Sequence, residues 1–433
     1  MFKFVHAADL HLDTPFSGLG EVSPAVAAEL RDASLGAFDR LVDLTIREDA
    51  AFLLLAGDIY DGPDRGMRAQ LRFYRGLERL GRAGIEAFVV HGNHDPLAGW
   101  SAVGGVRDWP EGVHVFGADA VASRQVLRDG RLLAVVHGIS YPRRDVSENL
   151  ALRFARTADP ALHVGLLHCN AGGNPDHYPY SPTSVEALAA RGMDYWALGH
   201  VHRGAVLREA DPCIVYPGNL QGRSPKPSEC GPKGAYVVES DGGRISALRF
   251  EPLDVVRFER VSIDVGELAD LPAVSDALHE AAGNLREAAG LRGVVVRAAL
   301  TGTTPLHALL ADRRARAELL RDLRERSDTS APFVWWDDVH LATRPPGLDR
   351  ETLRQSPDFR GELLREAERL SADPEALAAF LADATAPLGR WLDARRGRLE
   401  TLAASDEAGG AAPGGAMARA TDLALELIGG EDR

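Results

Sequence analysis

Short apolar runs that end in Asp, His or Asn recur through the first 200 residues, and this recurrence most constrains what the chain can fold into. FKFVHAADLH, AAFLLLAGDIY, IEAFVVHGNHD, LLAVVHGISY, LHVGLLHCNAGG and MDYWALGHVH each read as a buried strand running into a polar loop. Between them, PAVAAELRDASLGAFDRLVDLTIRED and RAQLRFYRGLERLGRAG carry apolar residues at helical spacing. Strand and helix alternate, so the class is α/β, and such folds place their sites at the carboxyl ends of strands, where the polar residues collect. YVVESDGGRISALRF reads as a closing hairpin that turns on Asp241 and Gly242.

The rhythm changes further on. VVRFERVSIDV, a helix near 267–287, GVVVRAALTG, a helix near 305–326 and PFVWWDDVHLATR form a β-α-β-α-β unit that predicts a small second domain over 254–345. Residues 346–404 carry Leu, Ala, Glu and Arg at helical spacing without strand signals. AASDEAGGAAPGGA then reads as a flexible linker ahead of a last helix, ATDLALELIG, within 405–433. The first domain is expected to span 1–250.

Composition excludes several classes. With 45% hydrophobic and 26% charged residues the chain reads as a globular protein with a sizeable core. MFKFVHAADLHLD runs directly into a strand pattern, which predicts neither signal peptide nor membrane span and a cytoplasmic location. Cys169, Cys213 and Cys230 form no C-x-x-C pair, which argues against a disulfide framework or a thiolate zinc site. A formal charge of -14 opposes strong unaided binding to nucleic acid. Lysine occurs only at Lys3, Lys226 and Lys233, so local basic patches would be made of arginine, the better bidentate phosphate ligand.

The polar strand ends supply Asp9 and His11, Asp58, then Asn93, His94 and Asp95, then His168, then His200 and His202. A lone H-x-H is more often a surface loop than a ligand pair, and a lone G-D or G-N-H is more often a turn. Five such ends in one α/β domain read instead as a metal site. Residues at i and i+2 of a strand point the same way, so His200 and His202 are expected to face one pocket, with Gly199 letting the backbone turn as it leaves the sheet.

In the order D-x-H, G-D, G-N-H-D, H, G-H-x-H, residues 1–250 resemble the calcineurin-type metallophosphoesterases. The resemblance implies a two-sheet sandwich flanked by helices, holding two divalent metals. CIVYPGNLQGRSPKPSECGPKGAYVVE, with Arg223, Glu229 and Lys233-Gly234, looks like the segment that follows the site in SbcD-type DNA repair nucleases. A small α/β capping domain and a helical C-terminal region are also similar to that group. GISYPRRDVSENLALRF, LLHCNAGGNPDHYPYSP and GNLQGR look closest to its YhaO-like branch.

Carried over residue by residue, the resemblance implies that Asp9, His11 and His202 hold one metal and that Asn93, His168 and His200 hold the other, with Asp58 bridging. Mn2+ is the expected metal, with Fe or Zn also suited to oxygen and imidazole donors. His94 would contact the scissile phosphate and help expel the leaving alkoxide, with Asp95 fixing its tautomer; Asp95 as the carboxylate capping the turn before Pro96 carries equal weight. The implied activity is DNA exonuclease, with endonuclease activity beside it, in repair alongside an SMC/SbcC-like coiled-coil ATPase. A homodimer is compatible and a membrane is not involved. A phosphodiesterase for nucleotides or other small phosphoesters, and a non-catalytic metal-stabilised scaffold, are the alternatives.

Other residues read more blandly. Asp61, where some relatives carry histidine, is expected to be a solvated loop aspartate, and His6, His91 and His137 satisfied core residues. His177 reads as a loop histidine. Arg143, Arg144 and Arg223 bind phosphate or pair with carboxylates with equal weight. Trp335 and Trp336 read as a buried ring and a ring covering a helix rather than base-stacking groups. Phe359, Leu363, Ala367 and Leu370 fall near one helical face, as a partner-docking stripe or as the inside of a bundle.

Overall fold

The computed structural model describes residues 1–385 except 13, 18, 20–21, 63–65, 98–108, 174–177, 328–331 and 347–349. Beyond 385 it describes 417, 420, 421, 424, 425 and 428. His177 and the expected linker therefore lie outside the described residues.

In chain order the first part contains β1 (Phe2–Ala7), α1 (Pro24–Arg47), β2 (Phe52–Ala56), α2 (Met67–Arg82), β3 (Glu86–Val90), β4 (Val113–Val115), β5 (Ala122–Arg128) and β6 (Arg131–Gly138). It continues with β7 (Leu162–His168), α3 (Val185–Ala189), β8 (Tyr195–Gly199), β9 (Ala205–Arg208), β10 (Cys213–Tyr216), β11 (Gly234–Ser240) and β12 (Ile245–Pro252). Two six-stranded sheets result, ordered β12-β11-β1-β2-β3-β4 and β5-β6-β7-β8-β10-β9. The strands β1, β2, β3 and β4 run parallel, as do β6, β7, β8 and β10. The hairpin expected at Asp241 is the antiparallel β11-β12 pair.

Side-chain alternation explains the layers. Phe4, Phe52, Leu54 and Phe88 point from the first sheet toward Ala134, Val136, Leu162, Val164, Tyr195 and Ala197 of the second, forming one core between the sheets. Phe4 and Phe52 stack there with ring centroids 4.8 Å apart. The opposite face of the first sheet, Val5, Leu53, Leu55 and Val89, packs on Phe38 and Leu41 of α1 and Phe73 and Leu77 of α2. With both faces covered, the central strand FLLLA is apolar throughout and wholly buried. The helix α1 begins where Ser23 caps the Val26 amide and Pro24 occupies the first turn.

The next elements are β13 (Val256–Asp264), α4 (Leu271–Ala289), β14 (Gly293–Thr303), α5 (His307–Ala311), α6 (Arg313–Glu325) and β15 (Val334–Arg344), whose strands form a three-stranded sheet in the order β13-β14-β15. Two compact units divide the chain. One comprises 1–259, 285–296 and 328–337, the other 260–284, 297–327 and 338–433, so the division falls inside all three strands. The reason is visible in the first unit, where Val256, Phe258, Val295, Phe333 and Trp335 pack on Val26, Leu30 and Ala33 of α1. Trp336 is fully buried as well.

In the second unit α7 (Arg350–Gln355), α8 (Phe359–Ala372) and α9 (Pro374–Thr385) follow. Ala367 and Leu370 are buried, and Leu363 packs on a cluster of Leu353, Leu364 and Leu425. Of the stripe expected on this helix only Phe359, 66% accessible, remains exposed, so most of it faces inward. No described helix is long and apolar enough to cross a membrane.

Candidate metal centre

The loops that leave β1 and β2 are stitched together by backbone hydrogen bonds, Asp9 N to Gly57 O (3.1 Å), His11 N to Asp58 O (3.0 Å) and Leu12 N to Ile59 O (3.0 Å). This pairing forces the side chains of two separate loops into one place. Asp9, His11, Asp58 and His200 all take positive φ, at 51°, 43°, 50° and 105°. Non-glycine residues rarely adopt that region, and each such strain costs about 1–3 kcal/mol. The Asp9 carboxylate accepts the His200 amide with both oxygens at 3.1 Å, and Asp58 Oδ1 accepts the His94 amide at 2.9 Å.

The imidazoles are oriented from behind. His168 Nδ1 donates to Ala56 O (2.9 Å), His200 Nε2 to Tyr178 O (3.0 Å) and His202 Nδ1 to the Glu229 carboxylate (2.6 Å). A carbonyl cannot donate, so these bonds fix which nitrogen carries the proton and leave the other as a lone pair. The other nitrogen of each ring points inward. His168 Nε2 faces Asn93 Oδ1 at 3.0 Å and Asp58 Oδ2 at 3.3 Å, while His200 Nδ1 faces Asn93 Oδ1 at 3.1 Å. His202 Nε2 lies 3.3 Å from His11 Nε2, and His11 Nε2 lies 3.9 Å from Asp58 Oδ2. Ring nitrogens, carboxylates and an amide oxygen thus converge, a donor set that a cation can complete. Asp9, His11 and His202, and again Asp9, Asp58 and His168, bring one ligand atom each within 4.8 Å of one another.

His168 also explains three glycines. A Cβ on Gly57 would sit 2.4 Å from its Nδ1, one on Gly92 2.8 Å from its Nε2, and one on Gly199 2.9 Å from its Nδ1. The Gly199 Cβ would also lie 1.8 Å from Ala56 O, where the two sheets pinch together. The sequence predicts a turn at Gly199; instead that glycine permits a close approach, and the positive φ belongs to His200.

Electrostatics follow from the same geometry. Burial alone would lower His168, but the Asp58 carboxylate raises it to about 9. Asp58 itself stays well below the usual carboxylate range, because His168 overcomes the effect of burial.

His94 lies at the rim, its ring 5.1 Å from that of His11. Asp95 does not orient it. The buried Asp95 carboxylate accepts from Ile59 N (3.0 Å) and Gly92 N (2.9 Å) and meets His91 Nδ1 (3.2 Å), so it staples the turn before Pro96. The partner of His94 Nδ1 is Asp61, which also accepts from Thr14 (3.1 Å) and lies 3.7 Å from Arg223. Asp61 is exposed, as expected of a loop aspartate, and is also tied to the site. Burial would lower His94, but the Asp61 hydrogen bond and the Asp58 and Asp61 charges raise it, and the His94 bond lowers Asp61.

Glu229, one of the residues named in the segment after the site, proves to be the anchor behind His202. Held low against burial by His202, Arg223 and Lys233, it also accepts from Asn219 (2.7 Å) and the Arg223 amide (2.9 Å). Lys233 donates to the carbonyl of His202 (2.8 Å). His6 and His137 are buried away from the centre, against Tyr195 and against Ser123 and His163. Arg143 and Arg144 are exposed.

A two-sheet α/β sandwich with Asp, Asn and His donors gathered at its strand ends is the architecture of the metallophosphoesterases, metal-dependent hydrolases of phosphoesters. The calcineurin-like phosphoesterase family model matches residues 2–204, and that of the middle domain of metallophosphoesterase YhaO matches 258–344. The chain is 36% identical over 372 residues to metallophosphoesterase YhaO of Bacillus subtilis, covering 84% of this chain and 87% of that one. It belongs to the calcineurin-like metallophosphoesterase family. More distantly it is similar to the DNA double-strand break repair protein Mre11 of Aeropyrum pernix, 26% identical over 66% of this chain and 69% of that one. It is 30% identical to a subunit of the nuclease SbcCD from Rhodobacter capsulatus over 38% of each chain.

Proposed function

We propose that this chain is a metal-dependent phosphodiesterase that cleaves DNA, as an exonuclease with endonuclease activity, in repair alongside an SMC/SbcC-like coiled-coil ATPase. The observation that carries the reading is the convergence of ring nitrogens from His11, His168, His200 and His202 on Asp9, Asp58 and Asn93. In this reading Asp9, His11 and His202 hold one divalent cation, Asn93, His168 and His200 hold the other, and Asp58 lies between them. The donors are oxygen and imidazole without thiolate, which suits Mn2+, Fe or Zn, and Mn2+ is the metal proposed. When bound, such a pair supplies an activated water and neutralises charge on a phosphoryl group.

The remaining chemistry belongs to the chain. His94, kept protonated by Asp61, stands at the rim and gives its proton to the leaving oxygen, a contribution typically worth about 100 to 10,000-fold. Asp95 keeps the Gly92 turn in place so that Asn93 and His94 point inward. DNA as substrate is supported by the names of the more distant relatives, a double-strand break repair protein and a nuclease subunit. With a net charge of -14 the chain needs positive surface from elsewhere, the task assigned to the ATPase. Residues 1–250 are taken as the nuclease domain, 254–345 as the capping domain, and 346–404, of which 386–404 lie outside the described residues, as the segment for partner docking, with Phe359 exposed in α8.

The test incubates the purified chain with Mn2+ and end-labelled DNA, and separately with bis-p-nitrophenyl phosphate, comparing wild type with His94→Ala and Asp58→Ala. Cleavage of DNA that both substitutions abolish is the expected result. Cleavage of the small ester alone, even with the ATPase added, would replace the nuclease reading by that of a small-substrate phosphodiesterase. Activity surviving Asp58→Ala would refute the site.

A further inference from the structure

The loop after His168 contains the sequence HYPYSP, and its first tyrosine is unusual in two respects. The carbonyl of Tyr178 is held by three donors, His200 Nε2 (3.0 Å), Asn170 Nδ2 (3.3 Å) and Tyr180 N (2.8 Å). Pro179 further restricts Tyr178 to extended backbone. Yet the residue is 75% accessible, the most exposed aromatic residue among the described ones. A flexible loop explains a loosely placed ring; a backbone fastened to an imidazole of the candidate metal centre does not. The ring is displayed from a fixed point.

What it displays is one open aromatic face. Tyr178 and Tyr180 lie nearly parallel, 25° apart with centroids at 5.8 Å, and Tyr180 packs against His200 with centroids at 5.8 Å. The rings form a short ladder that starts at the centre and ends at Tyr178. Beside it, the Tyr180 phenol engages the side chains of Asp145 and the exposed Arg144. A flat aromatic platform next to a guanidinium is the combination that holds single-stranded nucleic acid, since every base offers a π face and every linkage a charge.

We propose that Tyr178 stacks an unpaired nucleobase of the strand whose phosphate lies in the centre, and so selects nucleic-acid ends or single strands over small phosphoesters. The inference rests on the phosphodiesterase reading of that centre and adds its substrate class. A base inside a duplex has both faces covered by its neighbours, so an unpaired base, or one frayed from the end of a strand, is the kind that can lie on Tyr178. Tyr178 specifies substrate and takes no part in bond making.

The test uses the full chain with Mn2+ and a ten-nucleotide oligothymidylate with phosphorothioate linkages, carrying one 2-aminopurine at successive positions. Wild type should quench 2-aminopurine at one position. Tyr178→Ala should abolish that quenching and weaken binding about tenfold, while Tyr178→Trp preserves both. An abasic residue at the same position should bring wild type down to the affinity of Tyr178→Ala. Thymidine monophosphate should compete far less well than the strand; equal competition would point to a free-nucleotide site and overturn the proposal. Quenching and affinity unchanged in Tyr178→Ala, or no binding of the strand, would overturn it too. Unmodified DNA separates the two readings. Quenching without hydrolysis would refute the phosphodiesterase and leave the stacking, whereas hydrolysis indifferent to Tyr178→Ala would refute the stacking and leave the nuclease.

Discussion

Replacing Gly92 with alanine adds one methyl group at the point where the two carboxyl-end loops meet. Its Cβ would lie 2.3 Å from Asp58 Oδ1 and 2.8 Å from both Cε1 and Nε2 of His168. Gly92 does not have positive φ, so the backbone imposes no penalty and the effect is one of space alone. Ordinary contact needs about 3.5 Å, so the Asp58 carboxylate must retreat by about 1 Å. The oxygen on the other arm of that carboxylate faces His168, and the two would move together. A displacement of about 1 Å in a catalytic group can cost about 100-fold in rate, roughly 2.7 kcal/mol, and overpacking destabilises by about 1–3 kcal/mol. Mn2+ titration by calorimetry, thermal unfolding and DNA cleavage should be measured together. Gly117→Ala serves as the control, because nothing lies within 4 Å of its added Cβ. Gly92→Ala should remain folded, bind Mn2+ more weakly and lose about 100-fold in cleavage, with the control unchanged. Two Mn2+ bound with wild-type affinity by Gly92→Ala would refute the claim that these glycines are dictated by His168 and Asp58.

Three further outcomes are expected. Asp61→Asn removes the charge that raises His94, so the alkaline limb of kcat should move to lower pH with metal content and KM unchanged; an unmoved limb would separate Asp61 from the proton on His94. Burial lowers His6 to about 3, so the folded protein keeps it neutral while the unfolded chain takes up a proton below about 6.5. Stability is therefore lost as pH falls from about 6.5 toward 3, by about 2 kcal/mol at pH 5, and urea unfolding of His6→Gln at pH 7 and 5 should show that component missing. Buried Asp254 pairs with Arg257 (2.8 and 3.0 Å) and Arg292 (3.0 Å); Asp254→Ala strands the buried Arg257 guanidinium, leaves Arg292 on backbone carbonyls, and should destabilise by about 3 kcal/mol in chemical denaturation. A loss of about 0.5 kcal/mol, typical of surface changes, would contradict it.

The strand ends were legible because each apolar run carries its polar residues at a fixed offset, and a parallel sheet then delivers them to the same edge. Glu229 and Asp61 were harder to read, since each meets its histidine only in space, 27 and 33 residues away. The acceptors behind His168 and His200 left no signal at all: they are backbone carbonyls of Ala56 and Tyr178, and a carbonyl has no residue type. The order of the later strands was readable from alternation, but not the division within them. Continuous β-patterning does not record that Val256, Val295 and Trp335 pack on α1.

The two histidines of GHVH show how local spacing acquires a meaning it does not have alone. His200 and His202 project from one loop, but the bonds behind them use opposite nitrogens, Nε2 in His200 and Nδ1 in His202. One ring therefore presents Nδ1 toward Asn93 and the other Nε2 toward His11, and the loop spans both groups of donors. That difference depends on Glu229 on one side and on the Tyr178 carbonyl on the other. Weakening either anchor should disturb one group of donors first, because the tautomer is set separately for each ring. The positive φ of His200 accompanies a further tie: the His200 amide lies on both oxygens of Asp9, so the carboxylate grouped with His11 and His202 is bonded to the residue whose ring faces Asn93.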